Sequence, residues 1–116
     1  MPKPLPVLDV RSPVCCAPIG AERTGDDAAL QVALRLKALA DPVRIRLMSI
    51  LLTGPEACNG DLAGAVGLTD ATVSHHLGQL LAAGLVERER RGMNVYYRAV
   101  RPALGALCRV IDPDCC

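Results

Sequence analysis

Between Thr72 and Leu81 the chain carries two separate faces at helical spacing, and nothing else in the sequence restricts its fold as strongly. Val73, Leu77, Leu80 and Leu81 recur at i, i+4, i+7 and i+8, which is one stripe of an α-helix. Thr72, His75, His76 and Gln79 occupy the opposite stripe at i, i+3, i+4 and i+7. The apolar stripe must be laid on a core. The polar stripe holds short hydrogen-bonding groups and no carboxylate, which suits a nucleic-acid groove better than a solvated surface, where Lys and Glu dominate. Immediately afterwards the period changes. Leu85 to Arg90 and Val95 to Val100 alternate as strands do, and Arg91-Gly92-Met93-Asn94 forms the turn between them.

The elements on either side follow from their punctuation. Residues 1–26 are broken by Pro2, Pro4, Pro6, Pro13 and Pro18 and read as a flexible arm. A first helix is expected over about Asp27 to Ala40; it is apolar nearly all round and so suited to burial, plausibly in a subunit interface. Asp41 caps a second helix with Pro42 in its first position, and Gly54-Pro55 stops it. A short third helix over about Asn59 to Val66 ends at Gly67, a left-handed cap. Thr69 caps the two-faced fourth helix, which ends at Gly84, and Pro102 opens a last helix to Ile111. Third helix, brief turn and fourth helix make a helix-turn-helix, and the hairpin behind it makes a wing. The expected fold is mainly α with a β-hairpin wing, ααααββα, as one domain over 27–111. A cysteine-bearing tail follows at 112–116, and no internal repeat is present.

Composition sharpens this picture. Among 116 residues there is no Phe or Trp, so the core is modest and a homodimer is the expected source of extra burial. The net charge of +1 decides nothing, but its distribution favours a polyanion: Arg88, Arg90, Arg91, Arg98 and Arg101 face only Glu87 and Glu89 between residues 85 and 101. The proline-broken start holds no apolar signal core, and no apolar run is long enough to span a membrane. A cytoplasmic chain without a membrane partner is expected, and reduced thiols there are metal-binding or redox groups, not staples.

Four segments taken together resemble one family. KALADPVRIRL at 37–47, ATVSHHL at 71–77, AGLV at 83–86 and RGMNVYY at 91–97 are similar to the arsenic-repressor (ArsR/SmtB) family, over about residues 28–107. The resemblance implies a dimeric winged-helix repressor that leaves operator DNA on binding metal, and it implies no enzyme and no catalytic cofactor. One of the family's metal sites lies at the third helix, where members often carry Cys-x-Cys before Asp-Leu. Here Cys58 stands at the first cysteine position and Gly60 at the second, before Asp61-Leu62. Another family site uses Asp and His on the last helix; this chain has no His after His76.

The adjacent Cys15 and Cys16 can bind one soft ion where the backbone bends between them, and Cys58 can add a third thiolate. Some members of the family pair an N-terminal Cys-Cys with a cysteine near the helix-turn-helix in this way. Three thiolates suit As(III) or Sb(III), whose lone pair fills the remaining direction, whereas zinc and cadmium want a fourth ligand. The plainer alternative makes Cys15 and Cys16 incidental and Cys58 a small buried hydrophobe. Cys108, Cys115 and Cys116 form a possible second site, although Cys108 shares a helical face with Leu104 and Ile111 and could simply be packed there. For DNA, the expected contacts are Thr72, Ser74, His75, His76, Gln79, Arg90 and Arg91, with Arg91 beside Gly92 the best phosphate or minor-groove candidate. The functional expectation is an arsenite- or antimonite-responsive repressor of double-stranded operator DNA. A cadmium or lead sensor is the alternative. A thiol reductase is a further one, but Glu56 and Asp61 flank Cys58 with the wrong charge for it.

Overall fold

The computed structural model describes Ile19 and residues 23–111, and within them the order is α1 (Asp26–Leu39), α2 (Pro42–Thr53), β1 (Ala57–Cys58), α3 (Asn59–Val66), α4 (Asp70–Ala82), β2 (Val86–Arg91), β3 (Asn94–Ala99) and α5 (Arg101–Ile111). The five helices and the hairpin stand where their caps place them. Asp41 Oδ1 accepts the backbone N–H of Val43 at 2.8 Å and of Arg44 at 3.2 Å, with Pro42 filling the position that needs no donor. Gly67 closes α3 at φ 71°, a left-handed conformation in which a Cβ is strained. Thr69 Oγ1 accepts from Thr72 N at 3.3 Å and starts α4.

The apolar stripe of α4 is the centre of the molecule. Val73, Leu77 and Leu80 are fully buried against Leu47 of α2, Leu62 of α3 and Leu85, with Val86 and Tyr97 closing the sheet side. A second, smaller apolar cluster joins Ala106 and Val110 of α5 to Val32 of α1. The first helix is not buried all round within one chain. Arg35 is its most buried residue, and burial holds that guanidinium below its ordinary pKa, while Leu36 remains exposed.

The sheet has three antiparallel strands in the order β1-β3-β2. Its third member, β1, was not anticipated, because two residues carry no alternation to read. Pairing of Ala57 with Tyr97 and of Cys58 with Tyr96 ties the segment before α3 to the wing. The sheet therefore connects the helix-turn-helix to the hairpin.

Candidate nucleic-acid interface and regulatory cysteines

On α4 the structure separates the expected polar stripe into two groups. Thr72, Ser74, His75 and Gln79 are exposed, and Thr72 Oγ1 takes a hydrogen bond from Thr69 Oγ1 at 2.9 Å, or gives one. His76 instead is turned inward. Its side chain is 14% exposed, Arg44 Nε donates to its Nδ1 at 3.1 Å, and Asp41 Oδ1 stands 4.0 Å away. His76 is therefore less open to a groove than its neighbours on the stripe, because Arg44 of α2 lies against it. Arg44 also donates to the Ala38 carbonyl at 3.3 Å, so it fastens the end of α1 and the middle of α4 to the start of α2. Desolvation pushes the Asp41 carboxyl up, but the N–H donors of Arg44 and Val43, with the charges of His76 and Arg44, outweigh it and hold the group below its usual range.

The wing divides its charges by face. Register puts Val86, Arg88 and Arg90 on one face with Ala99, Tyr97 and Val95, and puts Glu87, Glu89 and Arg91 on the other with Arg98, Tyr96 and Asn94. On the second face Arg91 pairs with Glu56 and with Glu89 (3.0 Å), and its guanidinium lies 4.9 Å from the Tyr96 ring centre. Arg98 reaches Glu87 at 2.6 Å, Glu89 at 3.3 Å and Glu56 at 3.7 Å. Hydrogen bonds that Arg91 donates, first to Glu89 and then to Glu56, raise its pKa, and those that Glu89 accepts from Arg91 and Arg98 lower its own. The positive excess expected over residues 85–101 is therefore smaller on this face than the sequence suggests, since Glu56 joins from outside the segment. Arg101 is likewise occupied, donating to the Leu52 carbonyl at 2.6 Å. Among the described residues Arg90 gives one bond, at 3.4 Å to the Gly92 carbonyl, and with exposed Arg88 it is paired with no carboxylate there. Neutralisation by Glu56 and Glu89 weakens the case for Arg91 as the principal phosphate contact, and no sequence rule links it to a carboxylate 35 residues away.

Cys58 is a free thiol, half-buried, at the N-cap of α3, where it makes no side-chain capping bond. Alternation puts Ala57 on the core side, and pairing with Tyr96 puts Cys58 on the outer face with Glu56 and Arg91. It is thus placed for access from outside, not as a core hydrophobe. Beside it, Asn59 Nδ2 donates to the Asp70 carbonyl at 3.3 Å and Asn59 Oδ1 accepts from Ser74 Oγ at 3.0 Å. Ser74, expected to face DNA, therefore has its hydroxyl engaged with Asn59.

Cys15, Cys16, Cys115 and Cys116 lie outside the described residues. Cys108 is half-buried on α5 and disulfide-bonded, so its sulfur is a ligand only after reduction. Among the described residues no group of three or more His, Cys, Asp or Glu side chains could hold a metal ion. Ile19 donates its N–H to the Val110 carbonyl at 2.9 Å, which joins the arm to the last turn of α5.

A helix-turn-helix with an exposed polar stripe on its second helix, backed by a hairpin with cations on one face, defines a winged-helix DNA-binding module. Comparison with known proteins gives the particular family. Residues 41–88 match the model described as bacterial regulatory protein, arsR family. The transcriptional repressor SmtB homolog of Synechocystis sp. is 48% identical over 71 residues, which cover 61% of this chain and 53% of that protein. The arsenic resistance transcriptional regulator ArsR1 of Pseudomonas putida is 39% identical over 62 residues, covering 53% of this chain and 48% of that one. The chain thus spans about half the length of these curated relatives. Among solved structures, a homodimeric winged helix-turn-helix domain from Mycobacterium bovis, titled a possible ArsR-family regulator, superposes with TM-score 0.63 at 34% identity, covering 75% of this chain and 82% of that one. The antimony-specific transcriptional repressor AntR superposes with TM-score 0.66 at 32% identity, covering 76% and 80%. The chain belongs to the ArsR family, whose members are transcriptional regulators and not enzymes.

Proposed function

We propose that this chain is a homodimeric repressor that holds operator DNA in its metal-free state and lets go when As(III) or Sb(III) is captured by Cys15, Cys16 and Cys58. The observation that carries the reading is the position of Cys58. Its backbone belongs to a strand paired with the wing, it occupies the N-cap position of α3, and its neighbour Asn59 is bonded to α4. A displacement of this one residue is felt by both elements that would touch the duplex. The donor set fits a soft trivalent ion: sulfur alone, three in number, with no His nearby in sequence and Gly60 in place of a further cysteine. Such an ion, when bound, supplies only cross-linking of the three sulfurs; the rest belongs to the protein. The names of AntR and of ArsR1 point the same way.

Two recognition helices of a dimer must enter successive major grooves about 34–36 Å apart, so a small tilt of either lowers affinity for both half-sites together. Couplings of this kind are worth ~1–3 kcal/mol, and DNA weakens ion binding by the same factor. Thr72, His75 and Gln79 are read as the groove contacts, with Arg88 and Arg90 on the phosphates. The test is operator binding at fixed salt, under reducing conditions, against arsenite, antimonite, cadmium, lead and zinc. Cys15→Ser, Cys16→Ser and Cys58→Ser are expected to repress without responding, and Cys116→Ser to respond nearly as the parent does. Loss of induction in Cys116→Ser alone would move the regulatory site to the C-terminal cysteines, and a response confined to cadmium or lead would replace the metalloid.

A further inference from the structure

We infer that Asn59 is the positioning residue through which an event at Cys58 reaches α4. The side chain uses both ends of its amide on the first turns of that helix, donating to the Asp70 carbonyl at 3.3 Å and accepting from Ser74 Oγ at 3.0 Å. The start of α3 has no side-chain cap from Cys58, and an Asn in the first turn of a helix ordinarily bonds locally. Here it spans 11 and 15 residues instead.

The contacts on the two sides of the segment complement each other. Glu56 grips the wing through Arg91 and Arg98, Cys58 pairs with Tyr96 of β3, and Asn59 grips α4. Residues 56–59 therefore form a bracket between wing and recognition helix, with Cys58 in its middle. The link from α3 to α4 along the chain is a different one: it runs through Gly67 and the Thr69 cap. Asn59 is the direct hydrogen-bonded route. In its metal form the inference rests on the proposed capture of a soft ion by Cys58, but the route itself concerns any displacement there.

The test has two arms. In the full chain, Asn59→Ala is expected to bind operator within about threefold of the parent and to bind arsenite with unchanged stoichiometry. Its arsenite-induced loss of affinity should shrink from the roughly 5–150-fold range of such couplings to under about threefold. A merely structural clasp would lower both operator affinities together and leave their ratio alone, and an unchanged ratio overturns the inference. The second arm needs no metal. With the other five cysteines replaced by Ser, Cys58 is alkylated with N-ethylmaleimide, with and without Asn59→Ala. Weakened operator binding only where Asn59 is present supports the route even if arsenite proves to act elsewhere, in which case the metalloid reading fails by itself. Equal weakening in both, or none in either, overturns it. Should Asn59→Ala not fold, Asn59→Asp keeps the acceptor for Ser74, loses the donor to Asp70, and is expected to reduce the ratio in the same direction.

Discussion

At the scale of single residues, function here is decided by who neutralises whom. Arg88 and Arg90 present charge that no carboxylate among the described residues cancels, while Arg91 is held by Glu56 and Glu89. Each phosphate contact contributes about one unit to the slope of log affinity against log salt. Arg88→Ala and Arg90→Ala are each expected to reduce that slope by roughly 1 and to weaken all duplexes alike. Arg91→Ala should change it less and act mainly by freeing Glu56 and Glu89; a salt titration of operator binding for the three variants orders them. Asp41 gives a second residue-level expectation. Its folded-state pKa lies below the ordinary 3.8, so its capping contribution is complete above about pH 4 and fades as pH falls through the lower folded value. Glu89, depressed from 4.5 by Arg91 and Arg98, behaves likewise. The contribution of these two carboxylates to the urea midpoint should therefore be lost below about pH 4, and Asp41→Ala should flatten part of that drop. The partners of His76 and Arg91 were not legible in the sequence for one reason: Arg44 and Glu56 stand 32 and 35 residues away, and only folding brings them close.

At the scale of elements, local chemistry was legible and pairing was not. Asp41-Pro42, Gly67 and Thr69 state where helices start and stop through bonds made within four residues, and all three appear at the expected positions. β1 could not be read, since its only reason to be a strand is Tyr96 and Tyr97 on the far side of the hairpin. That omission hid the outward direction of Cys58, and with it the bracket made by residues 56–59. The turn between α3 and α4 carries the sharpest element-level prediction. A Cβ at Gly67 meets nothing within 4 Å, so space is not the obstacle, but φ of 71° is. Gly67→Ala is expected to cost ~1–2 kcal/mol of stability through backbone strain alone. Gly64→Ala, equally open and in regular helix, should be neutral or stabilising by up to about 1 kcal/mol. Chemical denaturation of the pair separates conformation from crowding. At the core end of the same unit, Leu77→Ala removes a fully buried side chain and is expected to cost ~2–5 kcal/mol.

At the scale of the whole molecule the question is what covers the outer helices. The main core unites α2, α3, α4 and the sheet, whereas Val32, Ala106 and Val110 form a separate, small cluster between α1 and α5. Beside it Leu36 is 38% and Ile111 55% exposed, and α5 is strongly amphipathic, so apolar surface continues outward from that cluster. One protomer presents one recognition helix, and two half-sites need two. A second copy packed across α1 and α5 is expected to answer both needs. Ile111→Glu tests this without touching either core. In an isolated protomer the change is at an exposed position and should leave folding intact; in a dimer it buries an unpaired charge. The parent is expected to sediment at twice its 12.2 kDa, with a thermal midpoint that rises with concentration. The variant should sediment at 12.2 kDa, keep its helical signal, lose that concentration dependence, and bind a two-half-site operator at least tenfold more weakly while a single half-site is bound as before. A variant that stays dimeric and holds both duplexes like the parent would place the partner on another face of the protein.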